Sequence, residues 1–308
     1  MSVSSKERAE KIYKELCLKI KDNNWKYSRE DEEFRVSFSV DGKDSIMNFR
    51  IRVDEESQRI KLLSHIPINI SPQKNEDIAL AICAANNRII DGNFDYDTKS
   101  RIVFFRMTNS FNDLEVKEDV LDYMLECSFF VVDKYDTLLR ALSDGLMNVD
   151  EFIKIIYQLP SEFEKEDSYK KENALRIYGF IKNCLANNGF GIQAVGELGL
   201  KFTVVGEDLN IPIIINIDSE RELFRLYSPM LFAIKGGKRK QCAIDVCNAN
   251  FGMDDGCFEY DSINNRLAFR TEVSYSNSKM NEDFLWYILK DACEKIDKYN
   301  HIFLIYGE

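Results

Sequence analysis

The chain has 308 residues, 45% apolar and 30% charged, with a net charge of −11. That length accommodates two domains of ordinary size, each large enough to bury its own core. The acidic balance disfavours general binding to a DNA or RNA backbone, which needs a basic footprint, and no run approaches the roughly 18 apolar residues of a membrane span.

The first segment, Met1 to Leu16, is charged and helix-like and lacks the apolar centre of a signal peptide. A cytoplasmic location is therefore expected. Residues 6–22 carry Ala9, Ile12, Tyr13, Leu16 and Ile20 at helical spacing, which predicts an amphipathic helix. Phe34 to Val40 alternates apolar and polar residues, as does Met47 to Val53, and Ile60 and Leu62 continue the pattern after a polar turn. Three strands in an antiparallel meander are predicted. Ser71 and Pro72 break the pattern. Asn75 is placed to cap a helix running to about Arg88, with Glu76 and Asp77 in its first turn and a stripe of Ile78, Ile82, Ala85 and Ile89. Asp91-Gly92 then turns the chain, and a glycine suits a positive φ there. A hairpin over 94–97 and 102–107 leads to a final helix over 116–139, with Leu121, Met124, Leu125, Ser128 and Val132 on one face. Residues 149–159 read as a further helix with Phe152, Ile155, Ile156 and Leu159 on one face. Pro160 ends it, and 161–172 is a charged linker.

The rest of the chain repeats the first part. Asn86 to Asp97 recurs as Asn250 to Asp261, 164 positions later. The same offset relates Cys83 to Cys247, Gly92 to Gly256, Arg106 to Arg270 and Asp133 to Asp297, and gives 20 identities over the 61 positions from 76 to 136. Unrelated sequences would match at roughly one position in fifteen to twenty, so the domain is duplicated. The opening helix recurs at an offset of 165, as Ala174, Ile177, Tyr178, Ile181 and Leu185. The expected fold class is α+β: two tandem repeats, 1–141 and 173–308, each an antiparallel sheet with helices packed on it, joined by a helical linker over 142–172. Pairing of the two repeats within the chain is expected.

The run from Asn86 through Gly92-Asn93-Phe94-Asp95-Tyr96-Asp97 into an apolar strand and a long helix resembles the YbjN-like family, described as bacterial sensory-transduction regulators. Asn250 and Gly256 to Asp261 carry the same pattern, and the resemblance covers most of each repeat. It implies a fold similar to type III secretion chaperones. It also implies a protein-binding or regulatory role, because such chaperones hold partner segments on an α+β dimer. It brings no established active site.

The residues themselves point away from catalysis. The two histidines, His65 and His301, are unmatched between repeats, and the eight cysteines include no Cys-x-x-Cys. Buried free thiols are expected, with no metal and no cofactor. Lys235 to Lys240 is the one basic, glycine-rich run; Lys235, Lys238, Arg239 and Lys240 form a candidate anion patch ahead of a helix. A solvated loop is the simpler reading, since it lacks the Walker A pattern. Asn86 and Asn250 are expected to satisfy backbone groups of the adjoining turn. Glu118-Asp119 and Glu282-Asp283 suit helix N-termini, and Arg106 and Arg270 are expected to pair with them at the surface. In the second hairpin strand Ile102 and Phe104 face away from the core-facing Val103 and Phe105, where the second repeat has Arg266 and Ala268. The second repeat should therefore be wet on that face. Ile102 and Phe104 should be covered by the linker helix, by the second repeat or by a partner, and they are the candidate partner-binding residues. The expected function is a non-enzymatic protein-binding module, chaperone-, adaptor- or regulator-like. The alternative is a small-molecule or phosphate sensor using the cleft between repeats.

Overall fold

Alternation of apolar and polar residues builds two six-stranded antiparallel sheets. The computed structural model describes residues 4–112, 116, 118–159, 168–276 and 280–307. In the first repeat α1 (Ser5–Asp22) starts at a capping box made by Ser4 and Glu7. It is followed by β1 (Lys26–Glu30), β2 (Arg35–Asp41), β3 (Ile46–Asp54), β4 (Arg59–Ile66), α2 (Asn75–Asn86), β5 (Asn93–Asp97), β6 (Ile102–Ser110) and α3 (Glu118–Ser143). The linker helix is α4 (Val149–Gln158). The second repeat runs α5 (Ser168–Asn187), β7 (Gln193–Val195), β8 (Gly199–Val205), β9 (Asn210–Asp218), β10 (Leu223–Ala233), α6 (Arg239–Phe251), β11 (Cys257–Asp261), β12 (Arg266–Ser274) and α7 (Glu282–Leu304).

The sheets have matching orders, β1-β2-β3-β4-β6-β5 and β7-β8-β9-β10-β12-β11. The hairpins share one register: Phe94 faces Phe105 as Phe258 faces Phe269. The core lies between each sheet and its long helices. Along β3, Met47, Phe49, Ile51 and Val53 are buried while the residues between them are largely exposed. The buried row packs against α1 and α3; in the second repeat α5 packs on β9 and α7 on β12.

Several expectations need correction. Each repeat has a fourth meander strand, β1 or β7, which the sequence reading missed. Both are exposed edge strands without apolar alternation. Asn75 does not cap α2. The helix begins at Asn75 after a 3-10 turn over Pro72–Lys74, and the Asn75 side chain instead accepts a hydrogen bond from the Tyr96 hydroxyl. The helix α3 runs to Ser143, and α5 begins at Ser168, inside the expected linker. Most of the charged stretch 161–172 lies outside the described residues.

The linker helix packs on α2 and α3, not over Ile102 and Phe104, which are half-buried. The expected wet face of the second repeat is wet only at Arg266. Ala268, Arg270, Glu272 and Ser274 on that face of β12 are buried.

Candidate functional site

The two repeats meet helix on helix. From Ile78 to Asn86 every residue of α2 is buried, so this helix has no solvent face there. It packs on α6, and each also packs on the other repeat's outer strand: α2 on β11, α6 on β5. Small residues allow the close approach. Cys83 and Cys247 sulfurs lie 4.0 Å apart; the Cys83 thiol faces the Ala243 carbonyl at 3.7 Å, and the Cys247 thiol faces the Ala79 carbonyl at 3.7 Å. Each contact has its mirror image 164 residues away, as a pseudo-two-fold axis requires.

Next to this seam the repeated motif explains itself. The Asn86 amide donates to the Phe94 carbonyl at 2.9 Å, and its oxygen accepts the Phe94 N–H at 2.7 Å. Asn250 does the same for Phe258 at 2.8 and 2.7 Å. The outermost strand of each sheet is thus hydrogen-bonded by a side chain where no further strand exists. Gly92 and Gly256 take φ of +74° and +64°; a Cβ on either would lie 2.6 Å from the Cζ of Phe105 or Phe269.

Arg106 and Arg270 are not surface residues. Both are buried, and neither pairs with the acids of α3 or α7. Arg106 holds Asp95 through Nε at 2.6 Å and Nη2 at 3.2 Å, and reaches the Gly256 carbonyl of the other repeat at 3.2 Å. Arg270 holds Glu259 at 3.0 Å and reaches the Gly92 carbonyl at 3.2 Å. It also pairs with Glu272, which occupies the position of Thr108 in the first repeat. Burial raises the carboxyls of Asp91, Asp95 and Glu259 above their usual range despite the arginines. It pushes Glu272 up to about 7. Every charge in this network is turned inward, so it ties the repeats together and presents nothing to a substrate.

The outward-facing side of the first sheet is open. A shallow cleft of about 410 Å³ there is lined by Lys26, Tyr27, Arg50, Leu63, His65 and Phe104 among others. The Phe104 ring lies 5.5 Å from that of His65. Among the described residues no carboxylate lines this cleft, although the chain has 52 acidic and 41 basic residues.

Residues 14–141 match the family model of YbjN, described as a putative bacterial sensory transduction regulator. Comparison with curated proteins and with solved structures gave no match. The stretch matching YbjN runs from within α1 to near the end of α3, so it holds the open cleft, Asn86, Gly92 and Arg106.

Outside the YbjN match, the basic run of the second repeat does not converge on a common point. Lys238 donates to the Ile305 carbonyl at 2.6 Å, Arg239 to the Ser262 carbonyl at 2.9 Å, and Lys240 pairs with Asp77 of the first repeat at 2.7 Å. Lys235 lies just before the 3-10 turn over Gly236–Lys238. Among the described residues no group of three or more His, Cys, Asp or Glu side chains could hold a metal ion, and no helix is long and apolar enough to cross a membrane.

Proposed function

We propose that the protein is a non-enzymatic, cytoplasmic regulator that holds an acidic segment of another protein on the open face of its first sheet. The observation that carries this reading is the cleft around Phe104: Tyr27, Leu63 and Phe104 beside Lys26 and Arg50, with serines and an asparagine between them, in a strongly acidic chain, left uncovered by the linker helix and lined by no described residue of the second repeat. An apolar surface rimmed by one sign of charge favours a partner carrying apolar anchors among opposite charges. The YbjN match supports a regulatory rather than catalytic role. The resemblance to secretion chaperones supports capture of an extended segment, and the net charge of −11 argues against a nucleic-acid backbone as the partner.

The test uses Phe104→Asp and Arg50→Glu in the full chain. A displayed peptide library is selected on the wild type and counter-screened on each variant. Enrichment of acidic peptides with an aromatic or aliphatic residue, lost in both variants while thermal melts stay unchanged, is the expected result. Binding should also weaken with added salt. Selection of peptides without acidic bias, or equal capture by the variants, overturns the reading. A large loss of stability in Phe104→Asp would mean that this face is covered from within.

A further inference from the structure

The repeats differ sharply at one end of their cores. In the first, four rings close it. Trp25 stacks on Phe38 at 5.3 Å and 9°, and Phe129 meets Trp25 edge-on at 5.2 Å and Phe49 at 4.8 Å. The equivalent residues in the second repeat are Phe190, Phe202, Ile213 and Cys293. The backbone establishes the equivalence. The Trp25 N–H bonds the Ile20 carbonyl as the Phe190 N–H bonds the Leu185 carbonyl, and Phe38 faces Phe49 across the sheet as Phe202 faces Ile213. Phe129 and Cys293 stand equally far into α3 and α7, which begin at Glu118 and Glu282.

An indole has thus become a phenyl ring, one phenylalanine an isoleucine and another a cysteine. The core does not close over the difference. A groove of about 820 Å³ opens there, with Phe190, Val204, Trp286, Leu289 and Cys293 among its lining residues. That volume falls in the range of about 300–1,000 Å³ typical of small-molecule sites. Trp286, which stands where the first repeat has Asp122, stacks on Phe190 at 5.9 Å and 26°. Val205 at the mouth is 84% exposed. Part of the charged rim is engaged: Lys290 pairs with Glu294 at 3.7 Å, Asp297 Oδ2 accepts the Glu207 N–H at 2.9 Å, and Lys298 lies 5.0 Å from the Tyr299 ring centroid, while Asp297 Oδ1 is buried with no hydrogen-bond partner among the described residues. An unpaired carboxylate oxygen at the rim disfavours an anionic ligand.

We propose that the second repeat binds a small, uncharged aromatic molecule in this groove, its ring lying beside Phe190 where the Phe129 ring lies in the first repeat. Aromatic walls favour stacked or edge-on rings over aliphatic ligands. The site is separate from the cleft around Phe104, and neither reading depends on the other.

Indole and 2-naphthol, titrated into the full chain by calorimetry, are the probes. One saturable site per chain is expected. Either probe should also slow N-ethylmaleimide labelling of Cys293, the one cysteine of the eight that is half-buried rather than buried. Cys293→Phe, which fills the groove, and Trp286→Asp, which removes one of its aromatic walls, each restore a first-repeat residue and should weaken binding by about tenfold or more with the melting transition preserved. If neither probe saturates below about 1 mM, or if affinity is unchanged in either variant when folded, the proposal fails.

Discussion

Replacing Asn86 with leucine tests the central claim about the repeated motif. The two side chains are close in size, so packing changes little, but both hydrogen bonds to Phe94 vanish. Asn86 and Phe94 are buried, so water cannot replace the lost partners. A buried backbone group left without a partner costs about 1–3 kcal/mol. Two such groups give a loss of about 2–6 kcal/mol, which is large against total stabilities of about 5–15 kcal/mol. Urea unfolding followed by circular dichroism reads this as a lower midpoint at unchanged slope. Asn250→Leu is the internal control, because its two bonds to Phe258 have the same geometry and should give a similar loss. A loss below about 0.5 kcal/mol at both positions would refute the argument, for the amides would then not be satisfying the strand.

Gly92→Val and Gly256→Val should each cost about 2 kcal/mol or more by the same assay. The positive φ and the Cβ contacts with Phe105 or Phe269 act together, and negligible effects at both would show that the turn relaxes freely. Glu272→Gln should change the pH dependence of stability. The folded carboxyl titrates near 7 against 4.5 for the free group, so its favourable contribution is complete below pH 4.5 and is lost as pH rises to about 7. The variant should gain stability relative to the wild type between pH 5 and pH 8, on the order of 2–3 kcal/mol; parallel curves across that window would contradict the assignment. A metal chelator and a thiol reductant at neutral pH should leave the melting transition in place, and unfolding with either would expose a missed site.

Much of this architecture was legible because the chain states it twice. The offset of 164 residues anticipated the matching hairpins, and identical Asn86 and Asn250, each followed by four residues that differ between the copies, pointed to a backbone role. Polar features that need the second repeat for their burial were not legible. Arg106 and Arg270 looked like surface residues because nothing in a single strand announces that its outer face meets another domain. The signal that could have found the seam was Ile78 to Asn86, a run with no charged residue read as one stripe although every face of it is apolar or small. The edge strands β1 and β7 were missed for the opposite reason: fully exposed strands carry no apolar alternation to read. The groove beside Cys293 was hidden by the change of offset from 165 to 164 between the first helix and the strands, which separates Trp25 and Phe129 in any ungapped comparison.

The positions where the copies agree and differ follow from joining both in one chain. In a homodimer every substitution enters twice, and residues near the axis meet their own copies. Here four pairs of residues at the seam remain identical, Ala79 with Ala243, Cys83 with Cys247, Asn86 with Asn250 and Arg106 with Arg270, although Asp95 and Thr108 have become Glu259 and Glu272. Any larger side chain on α2 or α6 at that point would push two buried helices apart. Away from the seam a change in one copy has no mirror, because the covalent link keeps the halves together at high effective concentration. Phe104 faces an open cleft where its counterpart Ala268 is buried, and Cys293 leaves open a space that Phe129 fills. One seam thus joins two outward surfaces of different chemistry. Under the two proposals above, one chain would carry two different recognition surfaces, which a symmetric dimer of identical halves could not provide.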